Sequence, residues 1–297
     1  MSSSLLQPDF LRALEALRRH LDSDARSGRI GEGPARRRGS GAEFLEHRPY
    51  EPGDDPRHLD WLALARSGSP VTKVYRAEEE TLLRLVLDAS ASLTIGQPSK
   101  FETAKRIAAA LAYLALASGR RVQLVVARAS DDASRALERV YTPLRGRRAF
   151  AEVCRQLDAV EARGRADLAA ALHALAARAE RPGMLGIISD FFDPGPIPGA
   201  LNRARSAGHD VLLVQVLDRS ELEPEFEGDL SLEDSETGER LEVTVDPAAL
   251  SAYAERLAGL FEELRSWAKR NGGAYSRITT GDDLEQVVRR ILERSQD

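Results

Sequence analysis

The chain has 297 residues, 42% of them apolar and 30% charged, with a formal net charge of -5. That balance builds a sizeable core and excludes a disordered chain, and the length suits one large α/β domain with an appended piece. The single cysteine, Cys154, excludes an intrachain disulfide framework and any two-cysteine metal motif.

No apolar run reaches the roughly 18 residues of a membrane span, and Met1-Ser2-Ser3-Ser4 does not lead through a basic segment into an apolar stretch. The expectation is a cytoplasmic protein. Charge is unevenly spread. Residues 26 to 48 hold six arginines against three glutamates, whereas residues 221 to 239 hold nine acids and no base. The basic run reads first as a solvated face or a partner of the acidic run; a nucleic-acid-binding segment from Arg26 to Arg38 is the alternative, disfavoured by a pI near 5.7.

In chain order, Phe10, Leu14, Leu17 and Leu21 at helical spacing predict an amphipathic helix over 9 to 22. Glycines 28, 31, 33, 39 and 41 then mark an irregular or β segment. In Arg48-Pro49-Tyr50-Glu51-Pro52-Gly53-Asp54-Asp55-Pro56, Asp55 and Pro56 read as the N-cap and first residue of a short helix. That helix runs to about Arg66 and is stopped by Gly68, with Trp61 as an anchor on the main domain.

From Thr81 onward short apolar runs alternate with helical segments, the pattern of crossover units on a parallel sheet. Strands are expected at 82 to 87, 121 to 127, 137 to 141, 184 to 189, 211 to 217 and 274 to 279. Helices are expected near 99 to 118, 147 to 159, 167 to 180, 197 to 207, 247 to 270 and 282 to 295. Ser99 and Glu102 form a capping box, and Gly119 is a stop. Alternating Leu230, Leu232, Leu241, Val243 and Val245 around a glycine-containing turn predict a β-hairpin insertion at about 219 to 246. It is expected to join the 26 to 48 segment in a small β lobe. The domains are expected at 1–75 and 76–297.

The first strand of the alternation ends in Asp88, and ligand sites in open α/β sheets lie beyond the carboxyl ends of strands. Asp88, Ser90 and Ser92 alternate with small Ala89 and Ala91, so their oxygens can converge from one turn. Strand 184 to 189 also ends in an acid, Asp190. Hard cations such as Mg²⁺ choose such oxygen donors.

The Asp88-Ala89-Ser90-Ala91-Ser92 loop, Asp190 and the strand order resemble the von Willebrand factor A domain with its metal-ion-dependent adhesion site. Arg48 to Trp61, with Ser99-Lys100-Phe101 and Ile188-Ser189-Asp190-Phe191, resembles more narrowly the bacterial domain-of-unknown-function 58 family, over residues 36 to 297. The resemblance implies a von Willebrand A-like, Rossmann-like, mostly parallel sheet with helices on both faces. It implies Mg²⁺ or Mn²⁺ at Asp88, Ser90, Ser92 and Asp190, and a non-enzymatic adaptor or chaperone-like partner of a MoxR-type AAA+ ATPase. The family's threonine is Ala166 here, which removes one hydroxyl ligand and makes Asp167 the candidate substitute. Arg57, His58, Asp60 and Trp61 are candidate partner-binding residues, against the plainer reading that Arg57, Asp60 and Arg66 form ion pairs holding this segment onto the sheet.

Enzymatic readings find less support. Asp88 as a phosphorylated nucleophile lacks the second acid two positions on, where Ser90 stands. Ser90 lacks the glycines of a nucleophile elbow, and no phosphate-binding glycine loop is present. The five histidines show no H-x-x-x-H pair, and Cys154 reads as a small hydrophobe on its helix.

Overall fold

The computed structural model describes residues 4–26, 43–51, 54–55, 57, 59–76, 81–128, 136–178, 181–193, 195–226 and 228–294. The chain divides into two units, Met1–Gly33 with Thr81–Asp297, and Pro34–Glu80.

In the larger unit a seven-stranded sheet is built from β3 (Leu82–Asp88), β4 (Arg121–Ala127), β5 (Leu137–Val140), β6 (Leu144–Arg145), β7 (Met184–Ser189), β8 (Asp210–Leu217) and β11 (Ala274–Thr279). The order is β11-β8-β7-β3-β4-β5, with β6 also pairing to β4. The five strands β11, β8, β7, β3 and β4 are parallel, and β5 and β6 run antiparallel. The parallel strands read as near-continuous apolar runs because helices cover both faces.

One face packs Leu83, Leu85, Leu87, Leu124 and Val214 against α1 (Pro8–Arg26), α3 (Lys100–Ala117), α4 (Phe150–Asp158) and α9 (Leu284–Arg294). The other packs Val86, Val125, Ile187 and Leu213 against α5 (Leu168–Ala176), α6 (Ile197–Ser206) and α8 (Pro247–Asn271). Arg84 and Gln123, polar yet buried, satisfy each other at 3.1 Å, and Arg84 also reaches the Arg181 carbonyl at 3.0 Å. A buried polar pair is tolerated when its hydrogen bonds are made in this way.

Every expected strand of the alternation forms within one residue of its expected bounds, and the Ser99–Glu102 capping box opens α3. Chain order reverses at β3: the connection through α3 leads to β4 on one side, while β7 pairs on the other. The carboxyl ends of β3 and β7 therefore flank the switch point of the sheet.

Several expectations are corrected. The expected pairing of the 26 to 48 segment with the hairpin is not seen among the described residues: β1 (Glu43–Pro49) pairs with β2 (Val71–Arg76), and β9 (Gly228–Glu233) pairs with β10 (Arg240–Val245), in two different two-stranded sheets. Strand β2 has no counterpart among the expected strands. The N-terminal helix α1 packs on α3 and α9 and so belongs with the larger unit, not with a 1–75 domain. The short helix of the second unit, α2 (Trp61–Ser67), starts five residues later than Asp55 and Pro56 suggest. Its N-cap is Asp60, whose carboxylate accepts from the Leu62 and Ala63 amides at 3.0 and 3.1 Å, because Asp55 is spent on Arg57 instead.

Candidate functional site

Four side chains singled out from sequence meet at the switch point. Asp88 ends β3 and is held from both sides: its Oδ1 accepts from the Ser90 amide at 2.9 Å, and its Oδ2 from the Ser189 hydroxyl at 2.6 Å. Ser90 and Ser92 hydroxyls lie 2.9 Å apart, and Ser92 donates to Asp190 Oδ2 at 2.8 Å. This last bond ties the loop after β3 to the loop after β7. Small Ala89 and Ala91 let the backbone turn, and the turn is fastened to a neighbouring loop by Arg163 N to Ala89 O at 2.9 Å and Ala91 N to Gly164 O at 2.8 Å.

Asp88 and Asp190 are both buried. Burial first, then the charge of Asp190, push the Asp88 carboxyl well above the usual carboxylate range, against the pull of the Ser189 and Ser90 hydrogen bonds. A proton or a nearby cation relieves this repulsion.

The protein supplies a cation that sequence reading did not assign to the site. Lys100, the first residue of α3 and fully buried, places Nζ 2.8 Å from Asp190 Oδ2 and 2.5 Å from Glu221 Oε1. Glu221 lies on α7 (Arg219–Leu222), where its other oxygen accepts from the Asp218 amide at 2.8 Å in a capping box. A lysine in the first helical turn opposes the helix dipole, and that mismatch was the signal available in the sequence. The Asp190 carbonyl accepts from Gln215 Nε2 at 2.8 Å, and Gln215 is in turn held by the Tyr275 hydroxyl at 2.7 Å. Phe191, buried and directly after Asp190, has φ of 60°. Such a conformation costs roughly 1 to 2 kcal/mol for a residue with a Cβ, here offset by burial of the ring.

The remaining candidates are placed elsewhere. Asp167 caps α5, its Oδ1 accepting from the Ala170 amide at 2.7 Å. Within the smaller unit Arg57 pairs with Asp55 at 2.8 Å, and Asp60 accepts from His47 at 2.9 Å besides capping α2. Both contacts are made within the smaller unit itself. Trp61, expected as an anchor, is 63% exposed. His58 and the basic segment from Arg29 to Arg38 lie outside the described residues, as does the side chain of Arg26. Cys154 is buried on α4, and burial pushes its thiol up to about 12.

The donors fit a hard cation in kind: two hydroxyls and two carboxylates, all oxygen. They do not form a carboxylate cage, since among the described residues no group of three or more histidine, cysteine or acidic side chains is arranged to hold a metal ion. One further acid approaches. Glu236, at the tip between β9 and β10, lies 4.0 Å from Arg165 of the loop beside the site. Burial, and then the charges of Asp88 and Asp190, push its carboxyl up to about 7. Among the described helices none is long and apolar enough to cross a membrane.

A protein-family profile described as "Protein of unknown function DUF58" matches residues 46–259. The uncharacterized proteins Rv1480 of Mycobacterium tuberculosis and Mb1516 of Mycobacterium bovis are each 32% identical over 290 residues, covering 96% of this chain and 88% of theirs. Among solved structures, the conserved hypothetical protein BatB from Bacteroides thetaiotaomicron aligns with a TM-score of 0.44 at 14% identity, over 72% of this chain and 98% of its own. Manganese-loaded Plasmodium vivax TRAP aligns with a TM-score of 0.36 at 12% identity, over 72% of this chain and 74% of its own.

Proposed function

The chain belongs to the DUF58 family, and from that membership and the strand-end site we propose that it is a von Willebrand A-like protein-binding module rather than an enzyme. The observation that carries this is the junction of Asp88, Ser90, Ser92 and Asp190 across β3 and β7, closed by the Ser92–Asp190 hydrogen bond. Ser90, Ser92, Asp88 and Asp190 would hold Mg²⁺ or Mn²⁺, and the ion would supply a positive site for an acidic side chain of a partner. Loss of a hydroxyl at Ala166 and the prior claim of Lys100 on Asp190 favour weak, exchangeable metal. The partner class in this reading is a MoxR-type AAA+ ATPase, with the protein as adaptor or assembly factor in the cytoplasm.

Asp88 is poorly suited to be a phosphoacceptor. It is buried, and Ser90 stands two positions on, where an aspartyl-phosphate enzyme of that type places its second acid. Each Asp88 oxygen accepts one hydrogen bond and keeps a second lone pair, so the loop can be held and an ion still bound.

The test is affinity capture with the tagged full chain, in Mg²⁺, in EDTA and as Asp88→Ala. The expected result is an AAA+ ATPase retained only with Mg²⁺ and intact Asp88. Retention of the same partner in all three conditions refutes the metal-assisted reading.

A further inference from the structure

The acidic run at 221 to 239 is not used by the function proposed above, yet the structure brings its centre to the site. From residue 231 to 242 every side chain on the hairpin is exposed except Glu236. Its side chain is only 24% accessible, while Arg165 opposite is 60% accessible. The tip is built to present it: Asp234 Oδ1 accepts from the Glu236 amide at 2.8 Å and the Thr237 amide at 3.3 Å. The turn closes through Gly238 N to Asp234 O and Asp234 N to Glu239 O, both at 2.8 Å, with Gly238 at φ of 73°. Arg165 sits next to Gly164, whose carbonyl accepts from Ala91 of the metal-type loop. The turn thus presents one carboxylate beside Arg165, on the loop bonded to Ala89 and Ala91 at the rim of the site.

We propose that this hairpin tip is a tethered occupant of the adhesion-type face, with Glu236 standing where the acidic side chain of a protein partner docks. The inference rests on the protein-binding reading and adds its regulation: the free protein covers its own site, and a partner must displace the tip. The latch is weak by construction. A part-exposed ion pair at 4.0 Å is worth little, so the cover opens readily. An acid brought towards two others is also repelled unless a cation lies between them, so the cover is strongest when the site is loaded.

The probe is a fluorescein-labelled peptide with the sequence of residues 234–239, measured by anisotropy against the full-length protein in Mn²⁺ and in EDTA. The proteins are wild type, Glu236→Ala, Glu239→Ala and Glu236→Ala combined with Asp88→Ala. Glu239→Ala removes an equal charge from an exposed position of the same turn. If the covered state outweighs the open one about nine to one, freeing the site tightens apparent affinity roughly tenfold. The expected result is that gain for Glu236→Ala in Mn²⁺, its absence for Glu239→Ala, and its loss on adding Asp88→Ala. Equal Mn²⁺-dependent binding by wild type and Glu236→Ala overturns the tether but leaves the binding reading intact. A gain that survives Asp88→Ala, or is matched by Glu239→Ala, overturns it as mere charge removal. Absence of Mn²⁺-dependent binding in every variant overturns the tether together with the binding reading.

Discussion

Replacing Lys100 by Met keeps an unbranched apolar stem one heavy atom shorter and removes the ammonium, with its charge and its hydrogen bonds. In the native protein that ammonium is fully buried and serves two carboxylates, at 2.8 and 2.5 Å. Its removal leaves Asp190 with the Ser92 and backbone bonds alone and strands Glu221 beside it. Breaking a buried pair by deleting one partner costs about 3 to 5 kcal/mol. Against a typical domain stability of about 5 to 15 kcal/mol the loss is large, and it corresponds to a fall in Tm of roughly 6 to 20 °C. Urea unfolding followed by tryptophan fluorescence reads it, because Trp267 is buried in the core of the larger unit. Glu221→Gln in the Lys100→Met background removes one stranded charge and recovers part of the loss, giving a coupling of about 1 kcal/mol or more in the double-mutant cycle. A Lys100→Met protein within about 1 kcal/mol of wild type, or strict additivity with Glu221→Gln, would refute Lys100 as the resident cation of the site.

Other consequences are open to direct measurement. Because burial raises the Cys154 thiol to about 12, the native state holds its proton more tightly than the unfolded state. Its stabilising contribution is complete below the unfolded thiol pKa and is lost as pH rises towards 12, so wild type should lose stability between pH 8 and 10 faster than Cys154→Ala. Native protein should also resist thiol reagents at pH 8 and react on unfolding; rapid native labelling contradicts this. Asp60→Ala removes the α2 N-cap, at a cost of about 1 to 2 kcal/mol, and should speed hydrogen exchange at the Leu62 and Ala63 amides; unchanged exchange there rules out the cap. Gly183→Ala drives a Cβ into the Leu82 carbonyl at the foot of β3, so a drop of about 1 to 3 kcal/mol is expected, and an unaltered melting temperature would count against so close an approach of the two backbones.

The alternation of apolar runs and amphipathic segments makes the parallel sheet readable, since strands buried on both faces carry their own signal. Asp88 and Asp190 are readable too, because each immediately ends such a run. What cannot be read depends on distant partners. Beyond its mismatch with the helix dipole, Lys100 shows nothing of its role in the sequence, because Asp190 and Glu221 lie 90 and 121 positions away. The pairing of β1 with β2 rather than with the hairpin is likewise a long-range choice, and both alternatives satisfy the same local alternation. The start of α2 is ambiguous in sequence because Asp55 and Asp60 are both acceptable caps, and only the Arg57–Asp55 pair and the His47–Asp60 contact separate them. Asp167 resembles a ligand by its position beside Ala166, while in the fold its Oδ1 caps the first turn of α5.

The Ser92–Asp190 bond joins positions 98 apart in the chain, and it exists only once β7 has docked alongside β3. A chain still emerging from synthesis, or one that has lost the second half of its sheet, carries Asp88, Ser90 and Ser92 but not the surface they make with Asp190. Closing so long a loop is among the later and slower events of folding. A binder of the proposed face would therefore read completion of the sheet, since the four side chains come together only in the finished fold.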